Sequence, residues 1–218
     1  MIEAIFFDQD NTLVNTREVA GGTYKAAINW VAAQKKLDAE LLFQEWRKVL
    51  DSLKKSKKPE ERLFSYSLGQ IVKENDLVEE AVEIQKSELT KTICLNPGVK
   101  EFFEKKMEEV KYILFTEDFD DQIDIKLTKF GLRDKFDLVV GSSLVGLMKP
   151  NIKFLKIAWD KFKLDPKNCL YIGDNFEKDC QLGKENGGKT IIFGRDDYRA
   201  DYRMDDFTEL QGILKILD

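Results

Sequence analysis

The chain has 218 residues, a formal net charge of −5 and no histidine. This length suits one large domain, or a medium domain with a smaller companion. Without histidine, Ser-His-Asp and Cys-His catalysis are excluded, and a zinc site lacks its usual ligands. The acidic balance argues against nucleic-acid binding through a basic face. A small anionic substrate stays possible, because the field at a site need not follow the net charge.

The cysteines and the distribution of apolar residues predict a cytoplasmic location. Cys94, Cys169 and Cys180 form no CxxC pair, so we expect reduced thiols. No apolar stretch approaches the roughly 20 residues that a membrane-spanning helix needs. Asp8 and Asp10 interrupt the first apolar run, which argues against a signal peptide. We therefore expect no membrane contact, and the oligomeric state cannot be read from the sequence.

The first predicted elements are one strand followed by a series of helices. Residues 3–7 are continuously apolar after the first position, which is typical of a strand covered on both faces of a parallel sheet. From about 17 to 91, apolar residues recur at helical spacing in four segments, and this predicts a small helical bundle. Pro59 fits the first turn of the third helix. Gly21-Gly22 with Tyr24 either line a substrate pocket or mark an irregular helix.

Beyond the turn at 96–98 the predicted helices and strands alternate. The predicted strands are 111–115, 137–141, 168–172 and 190–193. The predicted helices are 98–108, a helix that Gly131 ends, a helix around 155–162, a helix that ends at 187–188 and a helix around 210–217. This alternation predicts an α/β fold with a doubly wound parallel sheet. The first strand must join this sheet, so we predict a core of 1–15 and 96–218 with an inserted helical domain, 16–95. We expect a solvated loop at 195–206.

Polar side chains follow the predicted strands, where an open α/β sheet binds its ligands. Several carboxylates at one edge repel each other and call for a cation, and oxygen ligands suit magnesium better than zinc. A hydroxyl and an ammonium group beside the metal suit a phosphoryl group, which a carboxylate nucleophile can accept. The residues concerned are Asp8, Asp10, Thr116, Lys149, Asp174 and Asp179.

These residues, in this order, resemble the motifs of the haloacid dehalogenase superfamily. The resemblance covers the whole chain, including a helical cap inserted between the first and second motifs. It implies a Rossmann-like core and a magnesium-dependent phosphatase that forms an aspartyl-phosphate. The matching stretches are Phe7 to Leu13, Leu114 to Thr116, Lys149-Pro150, and Gly173-Asp174 with Asp179.

The resemblance also implies roles for the matching residues. Asp8 would be the nucleophile and a metal ligand. Asp10 would be the general acid and base, and its backbone carbonyl would bind the metal. Thr116 and Lys149 would bind the phosphoryl group, and Lys149 would hold Asp8 ionised.

The remaining carboxylates and Asp10 refine the expected reaction. Asp174 would bind magnesium directly, and Asp179 would act through a metal-bound water. Dehalogenases of the superfamily lack an acid at the position of Asp10, since a halide needs no proton. The resemblance therefore implies hydrolysis of a phosphate monoester of some small phosphorylated metabolite, whose identity stays open.

Two other functions remain possible at this point. A phosphosugar mutase shares the same framework. A receiver-type signalling domain also carries acidic residues, Thr and Lys around a phospho-aspartate. That class places its acceptor after the third strand, where this chain has Val140-Gly141, and it has no cap.

Some positions depart from the superfamily's pattern. Gln9 fills a slot that is commonly apolar, and Asn11 stands where many relatives have glycine. Glu117 and Asp118 make the loop after Thr116 unusually acidic. We expect repulsion there to weaken phosphate binding or to favour a leaving group rich in hydrogen-bond donors.

Overall fold

The structure is a computed structural model in which residues 1–217 are described. The chain divides into two compact units. One comprises Met1–Thr16 together with the chain from Cys94 onward, and the other is Arg17–Ile93. Among the described residues, no helix is both long enough and apolar enough to cross a membrane.

The first unit is built on a sheet of six strands, all parallel, in the order β3-β2-β1-β4-β5-β6. This order confirms the predicted doubly wound α/β fold, with β1 in the interior of the sheet as its continuous apolar run indicates. The strands are β1 Ala4–Phe7, β2 Lys111–Phe115, β3 Leu138–Val140, β4 Cys169–Gly173, β5 Lys189–Phe193 and β6 Tyr202–Met204.

The second unit contains the predicted helical series. Its helices pack around Trp46, which is 2% exposed and donates its indole N–H to Ser67 Oγ at 2.9 Å. The predicted third helix is wrong at its start, because Pro59 begins a separate 3-10 turn and Leu63 is extended. The helices are α1 Thr16–Lys35, α2 Ala39–Leu53, α3 Phe64–Gly69 and α4 Asn75–Thr92.

Tyr24 and the glycine pair of α1 lie in different environments. The Tyr24 ring packs against Trp46 and Phe64, each with ring centroids 5.1 Å apart. It therefore belongs to the apolar core of the helical unit. Gly21-Gly22 are exposed, and α1 continues through them without a break.

The helices of the first unit flank both faces of its sheet. They are α5 Val99–Glu104, α6 Asp120–Lys129, α7 Ser142–Val145, α8 Lys153–Phe162, α9 Gln181–Glu185 and α10 Leu210–Leu217. The predicted helix 98–108 ends earlier, at Glu104. The predicted helix that ends at 187–188 consists of a π-helical turn, Phe176–Cys180, followed by α9.

Neighbouring residues of β1 supply the core on opposite faces of the sheet. Phe6 stacks on Tyr171 with centroids 4.8 Å apart, in the cluster that α8 covers. Phe7 packs against Phe103 at 5.4 Å, on the other face. Because successive side chains of a strand alternate between faces, one short apolar strand anchors both layers. Each fully buried ring contributes up to about 3 kcal/mol of transfer free energy.

The stretch predicted as a solvated loop, 195–206, contains the edge strand β6, so that prediction is wrong in part. The strand has only three residues, Tyr202, Arg203 and Met204, and this is too short an alternation of apolar and polar residues to detect. Its position is fixed by Asp201, whose carboxylate accepts hydrogen bonds from the backbone and the hydroxyl of Thr190 at 3.0 and 2.7 Å.

Candidate active site

The carboxyl ends of three adjacent strands bring the first polar residues together. In the sheet register, Phe7 of β1 lies beside Leu114 of β2 and Ile172 of β4. Asp8 continues the ladder through its N–H, which donates to the carbonyl of Ile172 at 2.9 Å. This backbone hydrogen bond fixes the position of the Asp8 backbone, from which the side chain extends, independently of any side-chain contact.

A tight turn returns the chain onto Asp8. Asn11 has a φ of +64°, a left-handed conformation that Asn and Gly adopt more readily than other residues. This explains why Asn can stand at a position where glycine is common. The turn brings the Thr12 hydroxyl to Asp8 Oδ2, to which it donates at 2.9 Å.

Lys149 is the centre of the first charge cluster. Its Nζ donates to Asp8 Oδ1 at 2.6 Å, to Asp179 Oδ1 at 2.7 Å and to the carbonyl of Phe115 at 3.2 Å. The Lys149 side chain is 3% exposed. Burial by itself lowers the pKa of Lys149, but the two carboxylates outweigh burial and raise it. Lys149 is therefore a fixed positive charge at the end of β1.

Asp174 and Asp179 follow β4 and approach Asp8 from the other side. Asp179 Oδ2 accepts the backbone N–H of Asn175 at 3.0 Å. Gly173 leaves room for this arrangement, because a Cβ there would lie 2.2 Å from the Cβ of Asp179. Asp174 Oδ2 accepts a hydrogen bond from Arg195 at 3.0 Å. The segment after β5 therefore reaches this edge of the sheet.

Three carboxylates at this edge form a group suited to a divalent cation. One oxygen from each of Asp8, Asp174 and Asp179 lies within 4.8 Å of the other two. Carboxylate oxygens are the ligands that magnesium prefers, and the group has no sulfur or imidazole ligand. The donor set therefore fits Mg²⁺. The side chain of Asp10 is outside this group.

The protonation of Asp8 depends on more than Lys149. Burial raises the pKa of Asp8 well above its usual value, and the charge of Asp179 raises it further. Lys149 acts in the opposite direction but does not offset burial. Burial also raises the pKa of Asp179. A divalent cation among these carboxylates would supply the positive charge that a fully ionised site requires.

Lys126 is the centre of a second charge cluster, which the sequence analysis missed. Its Nζ donates to Asp10 Oδ1 and to Asp118 Oδ2, both at 2.5 Å, and its side chain is 3% exposed. The hydroxyl of Thr16 also donates to Asp10 Oδ1. A signal was present in the sequence, because Lys126 lies between Ile123 and Leu127 on the buried stripe of α6.

The two carboxyl groups of this second cluster have different proton affinities. Burial raises the pKa of Asp10, but Lys126, Thr16 and Asp118 together outweigh burial and lower it. Burial and the charge of Asp10 raise the pKa of Asp118 to about 7, against the effect of Lys126. Asp118 therefore holds a proton more tightly than Asp10 does.

The acidic loop after β2 is neutralised by lysines. Glu117 forms a salt bridge with Lys178 at 2.5 Å, and Asp118 forms one with Lys126. Each of the two carboxylates therefore has an ammonium partner, while the charge of Asp10 still raises the pKa of Asp118. The expected effect of this loop on phosphate binding stays a prediction. Thr116, 1% exposed, begins the loop and accepts the N–H of Asp118 at 3.2 Å.

Gln9 separates Asp8 from Asp10 in the sequence and is fully buried. Neither its amide nitrogen nor its amide oxygen has a hydrogen-bond partner among the described residues. A buried amide without a partner costs free energy of folding. The departure from an apolar residue at this position therefore has a structural cost.

Known proteins resemble this chain along its full length. A glyceraldehyde 3-phosphate phosphatase of Methanocaldococcus jannaschii is 28% identical over 229 residues, which cover 100% of this chain and 99% of the relative. A 2-haloacid dehalogenase from Pseudomonas syringae pv. Tomato DC3000 has the same fold, with a TM-score of 0.76, 20% identity and 100% coverage of both chains.

A second solved structure agrees with the first. A HAD phosphatase from Thermococcus onnurineus superposes with a TM-score of 0.74 and 19% identity, covering 98% of each chain. At this identity the likeness shows the fold alone. Residues 5–193 match the sequence pattern of the haloacid dehalogenase-like hydrolases, and the chain belongs to this family.

Proposed function

We propose that this protein is a magnesium-dependent phosphatase that hydrolyses a small phosphate monoester through an aspartyl-phosphate on Asp8. One observation carries the proposal. Asp8 lies at the end of β1 between a buried ammonium group and two further carboxylates, and a second carboxyl group follows two residues later. Family membership and the phosphatase relative support the same reaction.

Asp8 and Asp10 perform the first step together. An oxygen of Asp8 attacks phosphorus, so a bond forms between them and the ester O–P bond breaks. The leaving oxygen takes a proton from Asp10 and departs as the alcohol. Lys149 and Thr116 bind the phosphoryl oxygens, which carry the negative charge of the transferred group.

Asp10 reverses its role in the second step. As a carboxylate it takes a proton from water, and the water oxygen attacks the phosphorus of the aspartyl-phosphate. The bond between Asp8 and phosphorus breaks, which releases inorganic phosphate and regenerates Asp8. Both steps balance in protons, since Asp10 gives one and then regains one.

Asp8, Asp174 and the backbone carbonyl of Asp10 would hold the magnesium ion, and Asp179 would complete the acidic set. The bound ion would supply positive charge that draws the anionic ester to the site and favours ionised Asp8. We also assign selection of the substrate to the helical unit, Arg17–Ile93, as the counterpart of the superfamily's inserted cap.

The substrate is proposed only as a class. The relative from Methanocaldococcus jannaschii is named for glyceraldehyde 3-phosphate, which is a small phosphate monoester of an alcohol. The general acid, Asp10, suits an alcohol leaving group because an alkoxide leaves poorly without a proton. A panel of phosphorylated metabolites would identify the member of this class that the protein hydrolyses.

The test is release of phosphate from p-nitrophenyl phosphate with and without Mg²⁺. We expect activity that EDTA removes and that added Mg²⁺ restores. Asp8→Asn should abolish it, while Asp160→Asn, at an exposed carboxylate of α8, should leave it unchanged. Undiminished hydrolysis by a folded Asp8→Asn variant would refute the proposal.

A further inference from the structure

A lysine on the buried face of a helix needs an explanation. Lys126 lies on the stripe of α6 that also buries Ile123 and Leu127, and its side chain is 3% exposed. Removing an ammonium group from water is unfavourable, so it stays charged only where carboxylates and hydrogen bonds offset the lost hydration. Lys126 has two carboxylate partners, Asp10 and Asp118.

Neutralising the acidic loop does not explain the contact with Asp10. Lys178 neutralises the neighbouring Glu117 at the same distance, 2.5 Å, from a half-exposed position. Lys126 instead reaches across from α6 to the residue that follows β1 by three positions, 116 residues away in sequence. This contact orients the very carboxyl group to which the reaction assigns proton transfer.

The geometry around Asp10 fixes one of its oxygens. Lys126 and Thr16 both donate to Oδ1 of Asp10. Asp118 holds the other side of the Lys126 ammonium group. Two donors on one carboxylate oxygen restrict rotation of the group, and such preorganisation lowers the cost of reaching the reactive arrangement.

We propose that Lys126 is a positioning residue that holds the Asp10 carboxylate in the orientation from which it takes a proton from water. The inference rests on the proposed function. Lys126 itself touches no reacting atom, and Asp118 keeps its ammonium group in place. The step affected most is hydrolysis of the aspartyl-phosphate, because the water must be deprotonated as its oxygen bonds to phosphorus.

The two steps can be separated with p-nitrophenyl phosphate. Its p-nitrophenolate group leaves as a stable anion without a proton from Asp10. The first turnover, followed with enzyme in excess, therefore reports transfer to Asp8 without proton donation by Asp10. Steady-state turnover also includes hydrolysis of the aspartyl-phosphate, which needs Asp10 as a base.

Lys126→Met should slow the steady state by about 10²-fold, the effect of misplacing a reacting group by about 1 Å. The rate of p-nitrophenolate release in the first turnover should stay within a few-fold of that of the unmodified protein. A burst of p-nitrophenolate should therefore precede the slow phase. Asp10→Asn should give the same pattern, and adding Lys126→Met to it should slow neither phase further.

Lys178→Met is the matched control, because it removes the lysine that pairs with the other carboxylate of the acidic loop, Glu117, and should produce no burst. If Lys126→Met does not fold, the double variant Lys126→Met with Asp118→Leu removes Lys126 together with one of its two carboxylate partners and is tested in the same way. A pair of this kind can often be replaced by apolar residues without loss of stability.

Two results would overturn the inference. One is an equal slowing of the first turnover and the steady state, which would mean a general structural role for Lys126. The other is an unchanged steady state. If the unmodified protein shows no Asp8-dependent hydrolysis, the proposed function fails and the inference fails with it. Dependence on Asp8 without a selective effect of Lys126→Met refutes the inference alone.

Discussion

The active-site edge contains two clusters built on the same plan, a buried lysine between two aspartates. Lys149 joins Asp8 and Asp179, while Lys126 joins Asp10 and Asp118. The lysine side chain is 3% exposed in both clusters. They differ in their surroundings, because the Lys149 cluster includes the group of carboxylates suited to magnesium. Under the proposed function, similar charge geometry would serve phosphoryl transfer in one cluster and proton transfer in the other.

The difference also shows how position in the fold determines what a lysine does. Lys149 lies in a loop beyond β3, and its ammonium group is within hydrogen-bond distance of Asp8, the proposed nucleophile. Lys126 projects from the buried stripe of a helix and contacts Asp10, the proposed acid and base, together with Asp118. Removal of each lysine should consequently slow a different step of one reaction.

The largest expected effect is that of Lys149→Met. Loss of the ammonium group should lower the first-turnover rate by about 10²- to 10³-fold, as for removal of a donor to a transition-state oxyanion. Stopped-flow release of p-nitrophenolate measures this rate, and thermal unfolding checks the fold. If Lys149→Met kept its first-turnover rate and slowed only the steady state, the two lysines would affect the same step, which would contradict this comparison.

A third lysine-aspartate pair, Lys184 with Asp201, sharpens the comparison because it lies outside both clusters. Asp201 also accepts two hydrogen bonds from Thr190. Asp201→Asn should lower the free energy of unfolding by about 1–2 kcal/mol at pH 7, since it weakens hydrogen bonds to a charged group. Phosphatase activity at saturating substrate should not change.

The Asp201 effect should depend on pH. Burial raises the pKa of Asp201, but hydrogen bonds from Thr190 and the Lys184 charge outweigh burial and lower it. A lowered pKa stabilises the fold above the unfolded value of about 3.9, and this stabilisation is lost as the pH falls through the folded value. Urea titrations should show that the difference between the two proteins shrinks below about pH 4. An equal difference at acidic and neutral pH would contradict this account.

The smallest expected effect concerns Gln9, which lies between Asp8 and Asp10 and so connects the two clusters along the chain. Gln9→Met should raise the free energy of unfolding by about 1 kcal/mol, because it replaces a buried amide without a partner by an apolar side chain of similar length. Urea unfolding measures the change. Destabilisation would show that the amide has a favourable role at this position.

The sequence predicted the elements that carry strong local signals. Strand β2 has the predicted bounds, and β1 differs by one residue, because continuous apolar runs ended by polar residues are clear signals. The residues at strand ends were predictable because parallel strands deliver their last side chains to one edge. Asp8, Lys149, Asp174 and Asp179 meet at that edge.

Other features depend on contacts between distant segments. The position of Lys126 on the apolar stripe of α6 indicates burial, but its two carboxylate partners become known only when α6 is packed on the sheet. Strand β6 has only three residues, too few for a clear pattern, so its pairing with β5 depends on tertiary contacts. Arg195 follows β5 by two residues and contacts Asp174 across the neighbouring ends of β4 and β5, which the sequence alone does not show.

The most direct test of the central claim is to trap the covalent intermediate. The protein is mixed with substrate and Mg²⁺, quenched in acid, reduced with borohydride and digested, and the peptide containing Asp8 is analysed by mass spectrometry. Borohydride reduces an acyl phosphate to the alcohol, so the account predicts homoserine at position 8 only after exposure to substrate. Turnover with no such modification at Asp8, or the modification at another aspartate, would contradict it.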